Sequence, residues 1–94
     1  MAIPTFQFDI ITQSGKLYSN RVQSVTVPGE KGSFGVLANH ASLISTCVVG
    51  KLKILEESGQ ELFFRTSVGF FEVVKNQAVF LGKSAEQINP ISLA

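Results

Sequence analysis

The chain is 94 residues long, 45% hydrophobic and only 16% charged, which allows one domain and excludes disorder. At this size the folded-surface scaling buries roughly 64% of the unfolded chain's surface, enough for one core without staples. Eight basic and seven acidic residues leave a formal charge of +1, without the basic excess of a nucleic-acid binder. The lone Cys47 excludes an intrachain disulfide framework and suits a reducing compartment.

The first residues, Met1 to Thr5, carry neither a basic nor an apolar leader segment. Phe6, Phe8 and Ile10 then alternate with Gln7 and Asp9, the period of a half-buried strand. Ser14-Gly15 marks a turn, and Val25-Thr26-Val27 a second strand. The run Pro28 to Gly35 reads as a type II turn at Pro28-Gly29 and a tight connection, with Gly35 a candidate for positive φ. Its glycines fit neither GxxxxGK[ST] nor GxGxxG, so a turn is the stronger reading than a phosphate cradle. Gly32 to Gly50 is 19 residues without a formal charge, but its Asn, His, Ser and Gly content is too polar to span a bilayer.

Leu52 and Ile54 alternate with Lys51 and Lys53, and Leu62, Phe64 and Thr66 with Glu61, Phe63 and Arg65. A two-residue loop at Ser58-Gly59 would place both lysines on the face of Leu62 and Phe64. An odd loop gathers Leu52, Ile54, Leu62 and Phe64 on one face instead. Burying two lysines is the costlier arrangement, so an odd loop is expected, with Lys51, Lys53, Leu55, Glu57, Phe63 and Arg65 outward. Asn76 marks a further turn. Short strands with turns about every ten residues predict a sandwich or barrel. Ser84 to Ala94 reads as a loose tail in which Ala85-Glu86-Gln87 could begin a helical turn, limited by Pro90.

Little in the chain suits chemistry. His40 is the only histidine and Asp9 the only aspartate, and no GxSxG elbow is present. His40 and Cys47 do not make a metal site without further ligands. Cys47 reads as a small buried hydrophobe. Glu56 and Glu57 are strand neighbours and point to opposite faces. By elimination the domain docks rather than reacts, with no cofactor and no metal expected.

The segment Val25-Thr26-Val27-Pro28-Gly29-Glu30-Lys31-Gly32-Ser33-Phe34-Gly35-Val36-Leu37-Ala38-Asn39-His40-Ala41 resembles the signature of the epsilon subunit of F-type ATP synthase. So do Val68-Gly69-Phe70-Phe71-Glu72-Val73 with Asn76 and Val79, the opening Phe8-Asp9-Ile10-Ile11-Thr12, and Gly15 to Tyr18. The resemblance covers about residues 5 to 86. It implies an all-β fold, a ten-stranded β-sandwich or flattened barrel over residues 1–86, followed by a tail at 87–94. It implies a non-catalytic rotor subunit of the central stalk. That subunit links the gamma subunit to the c-ring and couples proton translocation to ATP synthesis. It would be peripheral on the cytoplasmic face of a bacterial inner membrane, without inserting into it.

Carried over by residue, Glu30, Lys31, Gly32 and Ser33 match the loop that meets the c-ring. Many members have a carboxylate where this chain has Ser33. His40, Ser42 and Ser45 match a region near gamma, and Thr12 lies on a neighbouring gamma-facing strand. Phe34, Leu37 and Phe70 are expected in the core. Many members continue into a C-terminal helical hairpin that can inhibit ATP hydrolysis and in some cases bind ATP. Asn89 to Ala94 does not read as a cut helix, so a naturally short subunit lacking both properties is expected. A stand-alone β-sandwich binding module is the competing expectation. The absence of Trp and the single Tyr argue against a glycan platform. A small enzyme is disfavoured by the missing acid–base constellation.

Overall fold

The computed structural model describes residues 3–89, all strand, turn and loop. Nine strands follow in order: β1 (Phe6–Thr12), β2 (Gly15–Gly29), β3 (Gly32–Leu37), β4 (Leu43–Cys47), β5 (Gly50–Glu56), β6 (Glu61–Thr66), β7 (Gly69–Val74), β8 (Gln77–Gly82) and β9 (Ala85–Ile88). The fifteen-residue β2 serves two layers. Its first half pairs with β1, and its second half with β3 and β5. A register shift between Val22 and Ser24 marks where it changes partners, as bulges commonly do at sandwich corners. Counted as two, β2 brings the total to the expected ten.

One layer therefore runs β2–β1–β8–β7–β4 and the other β3–β2–β5–β6–β9. A single pairing of Gly29 with Cys47 joins their margins. All pairings are antiparallel except β1 with β8.

The core lies between the layers. Phe6, Phe8, Ile10, Cys47, Phe71, Val73, Ala78 and Phe80 come from the first layer, and Val22, Val25, Val27, Val36, Leu52, Ile54 and Phe64 from the second. Tyr18 bridges the two, its ring 6.1 Å from Phe8 and 5.7 Å from Phe64. Its hydroxyl donates to Glu56 Oε2 at 2.7 Å. Burial, then the Glu56 hydrogen bond and charge, push the phenol well above its usual value. Cys47 is buried, and that burial raises its thiol.

The Ser58-Gly59 hairpin has the odd loop that the lysines demanded. Leu52 faces Phe64 and Ile54 faces Leu62. Glu57, Ser58 and Gly59 form the loop, closed by Glu56 N donating to Gln60 O at 2.9 Å. Gly59 takes φ +94, as three-residue loops require. On the outer face Lys53 pairs with Glu61, and Lys51 Nζ lies 5.7 Å above the Phe63 ring.

Four expectations need correction. The turn falls at Glu30-Lys31, not Pro28-Gly29, because β2 continues through Gly29 and pairs it with Gly32. The left-handed residue there is Gly32, at φ +113; Gly35 sits in β3 outside that region. Ala85–Gln87 is strand rather than a helical turn: the free edge of β6 recruits it as β9, pairing Thr66 with Ala85 and Phe63 with Ile88. Gln87 and Ile88 belong to β9, and residues 90–94 of the expected tail lie outside the described residues. Leu37 and Phe70 are outward, 65% and 57% exposed, because register to their neighbours assigns the inward side to Val36 and Phe71. Phe34 is partly buried and edge-on to Phe71, 6.0 Å between centroids.

Candidate functional site

The first surface is the β2–β3 hairpin tip. β2 runs outward through buried Val25, Val27, Pro28 and Gly29, and Glu30-Lys31 then forms a two-residue turn. Its backbone is tied to β4: Glu30 N donates to Thr46 O at 3.2 Å, and Val48 N to Pro28 O at 2.9 Å. The anchored tip leaves Glu30, Lys31, Gly32 and Ser33 all exposed and contiguous. It presents one carboxylate, one ammonium and one hydroxyl to whatever it meets.

Ser45 belongs beside this tip rather than with His40. It lines the same shallow hollow as Glu30 to Ser33, and its hydroxyl donates to Thr46 O at 3.2 Å. It is only partly exposed, on the inward parity of Leu43 and Cys47. Thr12 is not a surface residue. It shares the inward parity of Phe6, Phe8 and Ile10, is 9% exposed, and its Oγ1 accepts from Ser14 N at 3.1 Å. Its role is to cap the β1–β2 turn.

His40 and Ser42 are exposed on the β3–β4 loop. The His40 Nδ1 lies 2.7 Å from Ala41 O. A carbonyl only accepts, so Nδ1–H is the donor in this contact, and Nε2 is the ring nitrogen left for a partner.

The sequence reading missed a second surface. Across the outer face of the first layer, register aligns Thr46, Phe70, Leu81 and Ile11 in one row. Ile44, Glu72, Val79 and Asp9 form the row beside it. Ile44 is 70% exposed and Leu81 46%, and Val68 and Val49 are also exposed at strand margins. Exposed apolar groups gathered this way mark a protein contact far better than one alone. The signal was there in the doublets Phe70-Phe71 and Val73-Val74. Strand neighbours face opposite sides, so one of each pair had to face out.

Asp9 edges the apolar row. Its Oδ1 accepts from Ser19 Oγ at 2.7 Å and Gln7 Nε2 at 2.9 Å, and Lys16 Nζ lies 3.6 Å from Oδ2. Burial works upward on this carboxyl, but the Ser19 and Gln7 hydrogen bonds and Lys16 outweigh it and hold it below its usual value. Asp9 is thus engaged by its own sheet and shares no hydrogen bond with His40. Among the described residues no three His, Cys, Asp or Glu side chains gather as metal ligands. No helix among them is long and apolar enough to cross a membrane.

Fold and surface together define a small β-sandwich domain with two exposed features: a polar hairpin tip, and an apolar outer face with a histidine loop at its far end. The chain belongs to the family described as ATP synthase, Delta/Epsilon chain, beta-sandwich domain, whose model matches residues 5–88. It is 35% identical over 88 residues to the ATP synthase epsilon chain of Protochlamydia amoebophila (strain UWE25), covering 94% of this chain and 60% of that one. It is 34% identical over 94 residues to the ATP synthase epsilon chain of Pelotomaculum thermopropionicum (strain DSM 13744 / JCM 10971 / SI), covering 100% and 69%. The chain thus spans about three fifths to two thirds of the length of these relatives. In fold it is similar to a chain of the Euglena gracilis mitochondrial ATP synthase, solved as OSCP/F1/c-ring. There the TM-score is 0.85 at 20% identity, over 99% of this chain and 61% of that one. A chain of the Tetrahymena thermophila mitochondrial ATP synthase, solved as central stalk/c-ring, gives a TM-score of 0.74 at 14% identity, over 90% and 68%.

Proposed function

We propose that this chain works as a non-catalytic central-stalk subunit of an F-type ATP synthase, linking gamma to the c-ring so that proton-driven rotation reaches the catalytic head. The match of residues 5–88 to the family carries this reading. The surfaces then divide the work. The Glu30–Ser33 tip, rigidly tied to β4, meets the polar loops of the c-ring, and Glu30 supplies the carboxylate that Ser33 does not. The apolar row of Phe70, Leu81 and Ile11 and, at the opposite end of β7, the His40–Ser42 loop meet gamma. On this reading the chain is peripheral on the cytoplasmic face of a bacterial inner membrane, without insertion.

Site-directed crosslinking tests the division. Phe70→Cys should crosslink to gamma, and Lys31→Cys to a c subunit, in the assembled enzyme. Exchange of those two partners, or failure of both positions to crosslink, would overturn it.

A further inference from the structure

Residues 38–42 lie outside every strand, so the loop that carries His40 needs anchors other than a ladder. Two asparagines provide them. Asn39 N donates to Asn76 Oδ1 at 2.6 Å, and Asn76 Nδ2 donates back to Asn39 Oδ1 at 3.0 Å. These reciprocal bonds join the β3–β4 loop to the β7–β8 turn across 37 positions of sequence. Both residues are left-handed, at φ 66° and 63°, a region asparagine enters more readily than most residues.

The turn end of this clasp is firmly held. Asn76 O accepts from Gln7 N at 3.0 Å, which fastens it to β1. Val74 and Gln77 pair across the turn. The loop end leads directly to His40, whose N–H donates to Leu37 O at 3.3 Å and whose Nδ1–H donates to Ala41 O at 2.7 Å. The chain of fixed groups thus runs from the β1–β8–β7 sheet through Asn76 and Asn39 to an imidazole held through Nδ1, with Nε2 left for a partner.

We propose that Asn76 is a positioning residue: through Asn39 it fixes the loop so that His40 Nε2 receives a hydrogen-bond donor of the docking partner. The inference rests on the reading that the His40 loop faces gamma. It adds the chemistry of that contact, a donor on the partner, and the device that aims it.

The test is a double-mutant cycle read by calorimetric titration of the chain with gamma. Asn76→Gly keeps the left-handed turn and removes both side-chain bonds. It should weaken binding about tenfold, the worth of one well-placed hydrogen bond, and His40→Ala should do the same. Combined, the two should weaken binding no more than His40→Ala alone, to within about twofold, because the clasp acts through the histidine. Asn76→Asp keeps the acceptor for Asn39 N and should fall between wild type and Asn76→Gly. Amide exchange at residues 39–41 should quicken in Asn76→Gly while the strand amides stay as in wild type. Wild-type affinity in Asn76→Gly, or fully additive losses in the double variant, would overturn the clasp. Absence of any wild-type complex would overturn the docking reading and the aimed contact with it, a result distinguishable from the other two.

Discussion

Phe70 and Phe71 are chemically identical neighbours with opposite surroundings, and replacing each by alanine separates stability from docking. Phe71 is 0% exposed and Phe70 57%. Phe71 lies 6.1 Å from Phe8 and 6.0 Å from Phe34, ring centroid to centroid, and so joins both layers. A fully buried phenylalanine covers about 150–250 Å². At about 25 cal/mol per Å² that is roughly 4–6 kcal/mol, of which alanine keeps a part. Phe71→Ala should therefore destabilise by about 3–5 kcal/mol. A domain of this size holds about 5–15 kcal/mol in all, so the variant sits near the edge of folding. Phe71→Leu, which fills most of the volume, gives a folded fallback and should lose about 1–2 kcal/mol. Phe70→Ala should change stability by no more than about 0.5 kcal/mol. Urea unfolding followed by circular dichroism reads both. If Phe70→Ala cost as much as Phe71→Ala, the register that sets inside from outside would be wrong.

Three other outcomes follow from single contacts. The phenol of Tyr18 is raised in the folded chain above its ordinary 10.0, so its contribution is intact below pH 10 and is lost as pH climbs through the folded value. Wild type should therefore lose stability above about pH 10 more steeply than Tyr18→Phe, and parallel curves would show that the buried phenol plays no part. Gly32→Val should cost about 1–3 kcal/mol because φ is +113 there, whereas Gly35→Val, with open space around its added Cβ, should be tolerated; thermal midpoints check the contrast, and equal losses would refute it. Exchanging the charges at the tip, Glu30→Lys with Lys31→Glu, should weaken capture by the c-ring more than by gamma; equal loss from both would show that the tip does not choose between them.

Much of the fold is legible because charge and period constrain it locally. The loop parity at Ser58-Gly59 follows from two lysines that cannot be buried, and Leu52 facing Phe64 agrees. The position of Thr12 was legible too, since it repeats the parity of Phe6, Phe8 and Ile10; family likeness pointed outward where the period pointed in. Other features are settled by distant partners. Which half of Phe70-Phe71 faces the core depends on pairing with β4 and β8, and nothing within β7 decides it. Ala85-Glu86-Gln87 has helical propensity, but the open edge of β6 outweighs it. Gly29 looked like a turn glycine. Its small size instead answers a close approach, since an added Cβ would lie 2.8 Å from both Gly32 O and the Phe34 ring. The apolar outer row is visible only once four strands are in register, and the Asn39–Asn76 pair only once two loops meet.

Mixing this chain with its cognate gamma subunit and sizing the product tests the central claim most directly. A one-to-one complex that is lost when the outer row is made polar, as in Phe70→Asp with Leu81→Asp, is the predicted result. A folded chain and a folded gamma that stay apart, both alone and in the presence of the c-ring, would contradict it.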